Sequence, residues 1–224
     1  MIVDAPLHGE WVALHTPADR VPSHGTHYLA QTYAFDFVQH DPRSNLPYER
    51  GLLRHLLYYQ RADSFLCWNR PVYSVFDGRV ASIGEGWPDR LRINLFKELV
   101  MAGVWQPQVK GDDIRPLAGN YVIVQGVSAV AFYAHLRLNS VAVMPNQTVR
   151  AGDVIGHVGN SGNSTMPHLH FHLMDQPEIF TASGVPCFFR KYERCNDGAW
   201  VPVQDGIPGK FERIRFPATR DGMG

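Results

Sequence analysis

The strongest pattern along the chain is period-two alternation of apolar and polar residues. Residues 121–124, 127–138, 141–143 and 149–158 are short β-rich runs. Gly126, Asn139, Pro145-Asn146 and Gly152-Asp153 separate them, and this spacing of strands and turns predicts antiparallel pairing. Residues 168–173 alternate again, after a turn-rich loop (Gly159, Asn160, Ser161, Gly162, Asn163) and Pro167, which suits the first residue of a strand. Upstream, residues 31–38 read as a strand with Tyr33, Phe35 and Phe37 on one face and Ala34, Asp36 and Val38 on the other. Residues 71–80 read as a strand pair turning at Asp77-Gly78. Residues 52–59 and 91–104 have helix-like patterns, which places them in insertions at about 41–69 and 85–118. Residues 1–23, with Trp11-Val-Ala-Leu14 and Pro17, read as an extended lead-in. Residues 176–224, rich in proline and glycine, read as a tail packed over the core, with a strand-like piece at 211–216. The expectation is a mainly β chain with minor α content. An antiparallel sheet or sandwich would fill one domain, 1–224, with its core at about 20–180 and its tail at about 181–224.

Composition narrows the function. The 224 residues are 45% hydrophobic, enough for a full core. Twenty-one basic residues balance 21 acidic ones without a block of like charge, so nucleic acid or an anionic membrane is not an expected partner. Cys67, Cys187 and Cys195 cannot all pair within the chain, and none forms a Cys-x-x-Cys motif, so a cysteine zinc site is not supported. Residues 1–11 lack a basic stretch followed by an apolar one, and no run of about 18 apolar residues occurs. Membrane insertion is not expected. The chain reads as soluble, either cytosolic or relieved of an export signal.

Two features carry candidate chemistry. An acidic residue inside an apolar strand, Asp36, must be paired, hydrogen-bonded or metal-bound if buried. In a strand, His168 and His170 share a face with Cβ atoms roughly 6.5 to 7 Å apart, so that one ring can bind a metal while the other reaches a substrate. His135, in Tyr133-Ala-His-Leu136, is placed by alternation on the face of Tyr133, opposite Phe132, Ala134 and Leu136.

Several strings occur here in one order: Pro71-Val-x5-Gly78-x-Val80, Gly119-Asn120-Tyr-Val-Ile, Tyr133-Ala-His-Leu136, Val149-x-Ala-Gly152-x-Val-Ile-Gly156-x-Val-Gly159-Asn-Ser-Gly162 and Pro167-His-Leu-His-Phe171. In that order they resemble the LytM/lysostaphin-type zinc metallopeptidases, family M23. The resemblance spans roughly residues 20–180 and implies a LytM-like β fold. It further implies one zinc ion held by His24, Asp36 and His170, with His135 and His168 as the catalytic pair and Asn120 and Tyr133 as substrate contacts. The implied activity is zinc-dependent hydrolysis of peptide bonds in bacterial cell-wall peptidoglycan. The first motif departs from the family, in which the His and Asp stand four apart, because His24 precedes Asp36 by twelve residues. His24 and His27 therefore compete for the ligand role, and the Ser23-His-Gly-Thr context favours His24. His172 has a supporting or solvated role in this reading, and His8, His15, His40, His55 and His157 have no motif context. Two alternatives are a catalytically silent member that binds peptidoglycan or regulates another hydrolase, and a biotinyl or lipoyl carrier suggested by residues 149–156. The carrier is disfavoured because Lys97, Lys110, Lys191 and Lys210 lie outside the hairpin it would need.

Overall fold

The structure, a computed structural model, describes residues 1–41, 58–94 and 111–218. Near the N-terminus β1 (Ile2–Val3) and β2 (Gly9–His15) precede β3 (Phe35–Val38). The middle of the chain supplies β4 (Gln60–Arg61), β5 (Pro71–Tyr73), β6 (Gly78–Gly84), β7 (Arg92–Ile93) and the one-turn helix α1 (Arg115–Ala118). After them come β8 (Asn120–Gln125), β9 (Val130–Leu136), β10 (Thr148–Val149) and β11 (Val154–His157). The last third gives β12 (Leu169–Met174), β13 (Gly184–Val185), β14 (Phe188–Asn196), β15 (Ala199–Gly206) and β16 (Arg213–Phe216). The chain is mainly β, as the alternation predicts.

Twelve of these strands form one sheet along the path β1-β14-β16-β2-β3-β12-β9-β8-β6-β10, with β13 beside β12 and β15 beside β14. Every pairing is antiparallel except β1 with β14. Strict alternation at the centre divides the side chains. Phe35 and Phe37 of β3, Tyr133 of β9, and Leu169, Phe171 and Leu173 of β12 enter the larger apolar core. On the other face a smaller cluster contains Phe132, Ala134, Leu29 and Ala118. This second face carries the side chains of the candidate site.

Several expectations change. The segment at 181–218 is no loose cover, since β14 and β16 lie inside the sheet between β1 and β2. Its buried positions, Phe189 and Tyr192 in β14, are three apart among charged neighbours, so period two is masked in the sequence. The lead-in likewise supplies β2, which pairs with β3 and β16. β5 and β6 do not pair with one another: β5 pairs with β11, and β6 with β8 and β10. Residues 141–143 form no strand, and Tyr33 belongs to a 3₁₀ segment (Tyr28–Tyr33) rather than to β3. Of the two helix-like stretches, residues 52–57 and 95–104 lie outside the described residues. Beside them, β4 at Gln60–Arg61 and β7 at Arg92–Ile93 pair as a two-stranded ribbon.

Phe189 joins the C-terminal strands to the core. Its ring centroid lies 5.2 Å from those of both Phe35 and Phe216. Phe189→Ala is expected to cost about 3–5 kcal/mol in denaturant unfolding, the range for truncating a buried aromatic. A change within about 0.5 kcal/mol, typical of surface sites, would mean that these strands do not share the core.

Candidate metal centre

Asp36 lies in the middle of β3 with its carboxylate turned away from the phenylalanine core, and it is 7% exposed. Such a charge is costly without cationic partners, and the sheet supplies them from both sides. On one side the β12–β3 register places His170 directly opposite Asp36. On the other, the β2–β3 register places His15 there. His170 Nδ1 is 2.9 Å from Oδ1, with His168 Nε2 at 3.5 Å from the same oxygen. His15 Nδ1 and His24 Nε2 approach Oδ2 at 2.8 and 2.9 Å. His24 is on the segment between β2 and the 3₁₀ turn. Of the two rival histidines it is the one that reaches the carboxylate, whereas His27 is exposed and bonds to Thr32 Oγ1 at 2.9 Å.

The partners of the remaining ring nitrogens indicate where the lone pairs point. His168 Nδ1–H donates to the Met166 carbonyl at 2.8 Å, and His135 Nδ1–H donates to the Ser161 carbonyl at 2.8 Å. A carbonyl can only accept, so both rings present an unprotonated Nε2 when neutral. The Ser23 hydroxyl holds His24 Nδ1 at 3.1 Å in the same sense. His170 Nε2 contacts His172 Nδ1 at 3.2 Å, leaving its Nδ1 for Asp36. Imidazole lone pairs facing a carboxylate need a cation between them, and nitrogen with carboxylate oxygen is a donor set suited to a divalent transition metal. One ligand atom each from His15, His24 and Asp36 lies within 4.8 Å of the others, while His170 stands outside that group on the other carboxylate oxygen. The residues fit a metal ion.

His135 reaches this centre by breaking its strand's alternation. Its φ of 60° is left-handed, uncommon for a residue other than glycine, and it turns the ring onto the face of Phe132 and Ala134 rather than that of Tyr133. The His135 and His168 ring centroids are 4.6 Å apart. The Gly159–Gly162 loop holds the twist. Ser161 Oγ donates to the Leu136 carbonyl at 2.6 Å and accepts from Asn120 N–H at 2.9 Å, which brings the Ser161 carbonyl to His135. Gly162 (φ +72°) is required by close approach, because a Cβ there would lie 2.3 Å from the Gly119 nitrogen.

The expected substrate contacts are corrected by burial. Asn120 is fully buried, with its amide nitrogen donating to the Trp87 and Leu136 carbonyls and its oxygen accepting from Trp87 N–H. Tyr133 is fully buried in the opposite core, where its hydroxyl accepts from Val75 N–H at 2.9 Å. Both brace the fold and neither faces the cleft. His15, which motif reasoning set aside, joins the cluster around Asp36. The structure brings together His24, Asp36, His170, His168 and His135, adds His15 and His172, and opens the group into a cleft of about 960 Å³ walled by Tyr28, Leu117 and Thr165.

Burial pushes the Asp36 carboxyl up, but His24 and His168 beside it, with hydrogen bonds from His15 and His168, hold it well below the usual carboxylate range. Burial and the neighbouring His168 and His170 charges push His135 well below the ordinary imidazole value. Burial with His170 does the same to His172, and burial lowers His170. For His168, burial lowers the value but the Asp36 charge and hydrogen bond outweigh it, for a net rise. The three lowered groups are neutral when folded and take up protons first in the unfolded chain. They therefore remove stability as pH falls through the ordinary imidazole value of 6.5. His168 opposes them with stability present below 6.5 and lost as pH rises through its folded value. The depressed Asp36 loses its contribution only at much lower pH. Protein stripped by a chelator is accordingly expected to melt at progressively lower temperature from pH 7 to pH 5. An unchanged or rising melting temperature would contradict the burial of neutral histidines.

The sequence profile of peptidase family M23 matches residues 62–180, more than half of the chain. His15, His24 and Asp36 lie before the matched segment. The chain is 43% identical over 106 residues to the peptidoglycan DD-endopeptidase ShyA of Vibrio cholerae, covering 47% of this chain and 21% of that protein. It is 46% identical over 54 residues to the DD-carboxypeptidase/endopeptidase Mpg of Neisseria meningitidis, covering 24% of this chain and 12% of that one. The matches thus span well under a quarter of the length of these curated relatives. Among solved structures, the catalytic domain of the prophage-encoded M23 protein EnpA from Enterococcus faecalis aligns at a TM-score of 0.43 with 15% identity, over 79% of this chain and 88% of that one. The catalytic domain of lysostaphin from Staphylococcus simulans aligns at 0.40 with 19% identity and the same coverages. On the strength of the profile match, this chain belongs to peptidase family M23.

Proposed function

We propose that this chain is a zinc-dependent endopeptidase that hydrolyses peptide bonds in bacterial cell-wall peptides, and that residues 1–224 act as one domain. The observation that carries the reading is the buried Asp36 carboxylate ringed by imidazoles beside a cleft. Family membership and the peptidoglycan endopeptidase among the relatives support the substrate class.

His24, Asp36 and His170 are the proposed zinc ligands. Zinc bound by two neutral imidazoles and one carboxylate keeps a position open, lowers the pKa of a coordinated water to about 7 and polarises a carbonyl. His135 and His168 flank the centre from the β9 and β12 sides. His135 Nε2, with Nδ1–H spent on the Ser161 carbonyl, is placed to take the proton of the attacking water. His168, anchored through Nδ1 to the Met166 carbonyl, would present Nε2 to hand a proton to the leaving amine. Leu117, Phe132 and Ala134 give the cleft an apolar lining beside the rings.

Elemental analysis of protein purified without chelator is expected to give one zinc per chain. Asp36→Ala should empty the site, since no neutral ligand replaces the lost charge. His135→Ala and His168→Ala should each keep the metal yet lose about 10²- to 10⁴-fold in turnover on purified sacculi, the usual contribution of a positioned acid or base. The assay counts new amino termini. Wild-type protein that binds zinc and sacculi but releases no amino termini would replace the peptidase reading with that of a silent peptidoglycan-binding module.

A further inference from the structure

His15 has no place in the three-ligand set, yet the fold directs it to the same carboxylate oxygen as His24. β2 and β3 pair Val12 with Val38 and Ala13 with Phe37, and the register then shifts so that His15, not Leu14, stands opposite Asp36. In an unbroken ladder Leu14 would occupy that position and present an apolar side chain to the charge. The bulge at Leu14 exchanges it for an imidazole, which is the side-chain re-aiming that bulges beside functional sites perform. His15 Nδ1 lies 2.8 Å from Asp36 Oδ2, and the His15 and His24 ring centroids are 4.9 Å apart. The His15 side chain is 45% exposed, against 16% for His24 and 10% for His170, and it lines the cleft.

We propose that His15 is a fourth protein ligand, binding through Nδ1 beside His24, Asp36 and His170, so that the resting centre is closed to outside ligands until His15 leaves. This rests on the metal-site reading above. Three imidazoles and a carboxylate fill a tetrahedral set, which is the arrangement of closed rather than hydrolytic sites. Access of an outside ligand then requires one of the four to depart. His15 is the most exposed of the four, and it sits at the end of its strand, whereas Asp36 and His170 lie within theirs.

The alternative is that His15 only hydrogen-bonds Asp36 and orients it, and two substitutions in the full chain separate the cases. His15→Ala removes both ligand and hydrogen bond. His15→Gln keeps a donor for Asp36 without an imidazole. Zinc affinity is measured by chelator competition, with unfolding midpoints confirming that the variants fold. Azide uptake is followed in the visible spectrum of the cobalt(II)-loaded proteins. A ligand role predicts that both variants lose more than about 100-fold in zinc affinity, beyond the 10- to 100-fold typical of an outer partner, and take azide at lower concentration than wild type. A loss of about 100-fold or less in either variant, or azide titrating all three proteins alike, overturns the inference while leaving the three-ligand site standing. Wild-type protein that binds no zinc at all would instead remove the metal-site reading on which the inference rests.

Discussion

A carboxylate on the face of a twelve-stranded sheet opposite its larger core is the constraint around which the molecule is arranged. Asp36 is flanked within its own strand by Phe35 and Phe37, whose rings stack 5.5 Å apart in the opposite layer. The strand is therefore fixed in register by its apolar face, and the carboxylate has no freedom to leave. Taking such a charge out of water costs several kcal/mol unless cationic groups or a metal compensate it. The sheet answers with one histidine across each neighbouring strand and a third from the preceding loop. The same alternation that sends Leu169, Phe171 and Leu173 into the core presents His168, His170 and His172 to the cleft. Core packing and site geometry are two faces of one register.

Much of this was legible from residue pattern. Alternation in β8, β9 and β12 marks the central strands, and an acid inside an apolar strand marks Asp36 as needing a partner. His168 and His170 share a face as period two requires. What escaped the sequence depends on departures from period two. The register shift at Leu14 makes His15 a site residue, and nothing in Trp11-Val-Ala-Leu-His announces it. The left-handed backbone at His135 reverses the face assigned to it, which is why Tyr133 is buried on the other side while His135 lines the cleft. β14 was hidden because it buries only part of one face among charged residues, and β16, legible as a strand-like piece at 211–216, gave no sign of its place inside the sheet. Their membership of the sheet depends on partners far away in sequence.

The loops around the site are held by backbone bonds rather than by apolar bulk. The two Asp89 oxygens accept from Asn160 N–H at 2.7 Å and Leu138 N–H at 2.8 Å, which ties the end of β9 to the Gly159–Gly162 turn. Asn120 clamps Trp87 and Leu136 in the same region, and Arg90 bonds the Ser164 carbonyl at 2.8 Å. This polar scaffold explains why asparagine, serine and glycine recur beside the histidines. Each supplies a hydrogen bond or a close approach that sets His135 or His168, and substitutions there act on the rings through the backbone. Short polar residues of this kind look like loop filler in sequence, and only their partners reveal the role.

In the proposed reading the Asp36 carboxylate and the surrounding imidazoles share one metal ion rather than protons. Anomalous diffraction at the zinc absorption edge, on crystals of the full chain grown with zinc, tests this most directly. The predicted result is a single strong peak bounded by Asp36, His24 and His170. No peak at Asp36 in crystals that carry zinc elsewhere, with the histidines still bonded directly to the carboxylate, would contradict it.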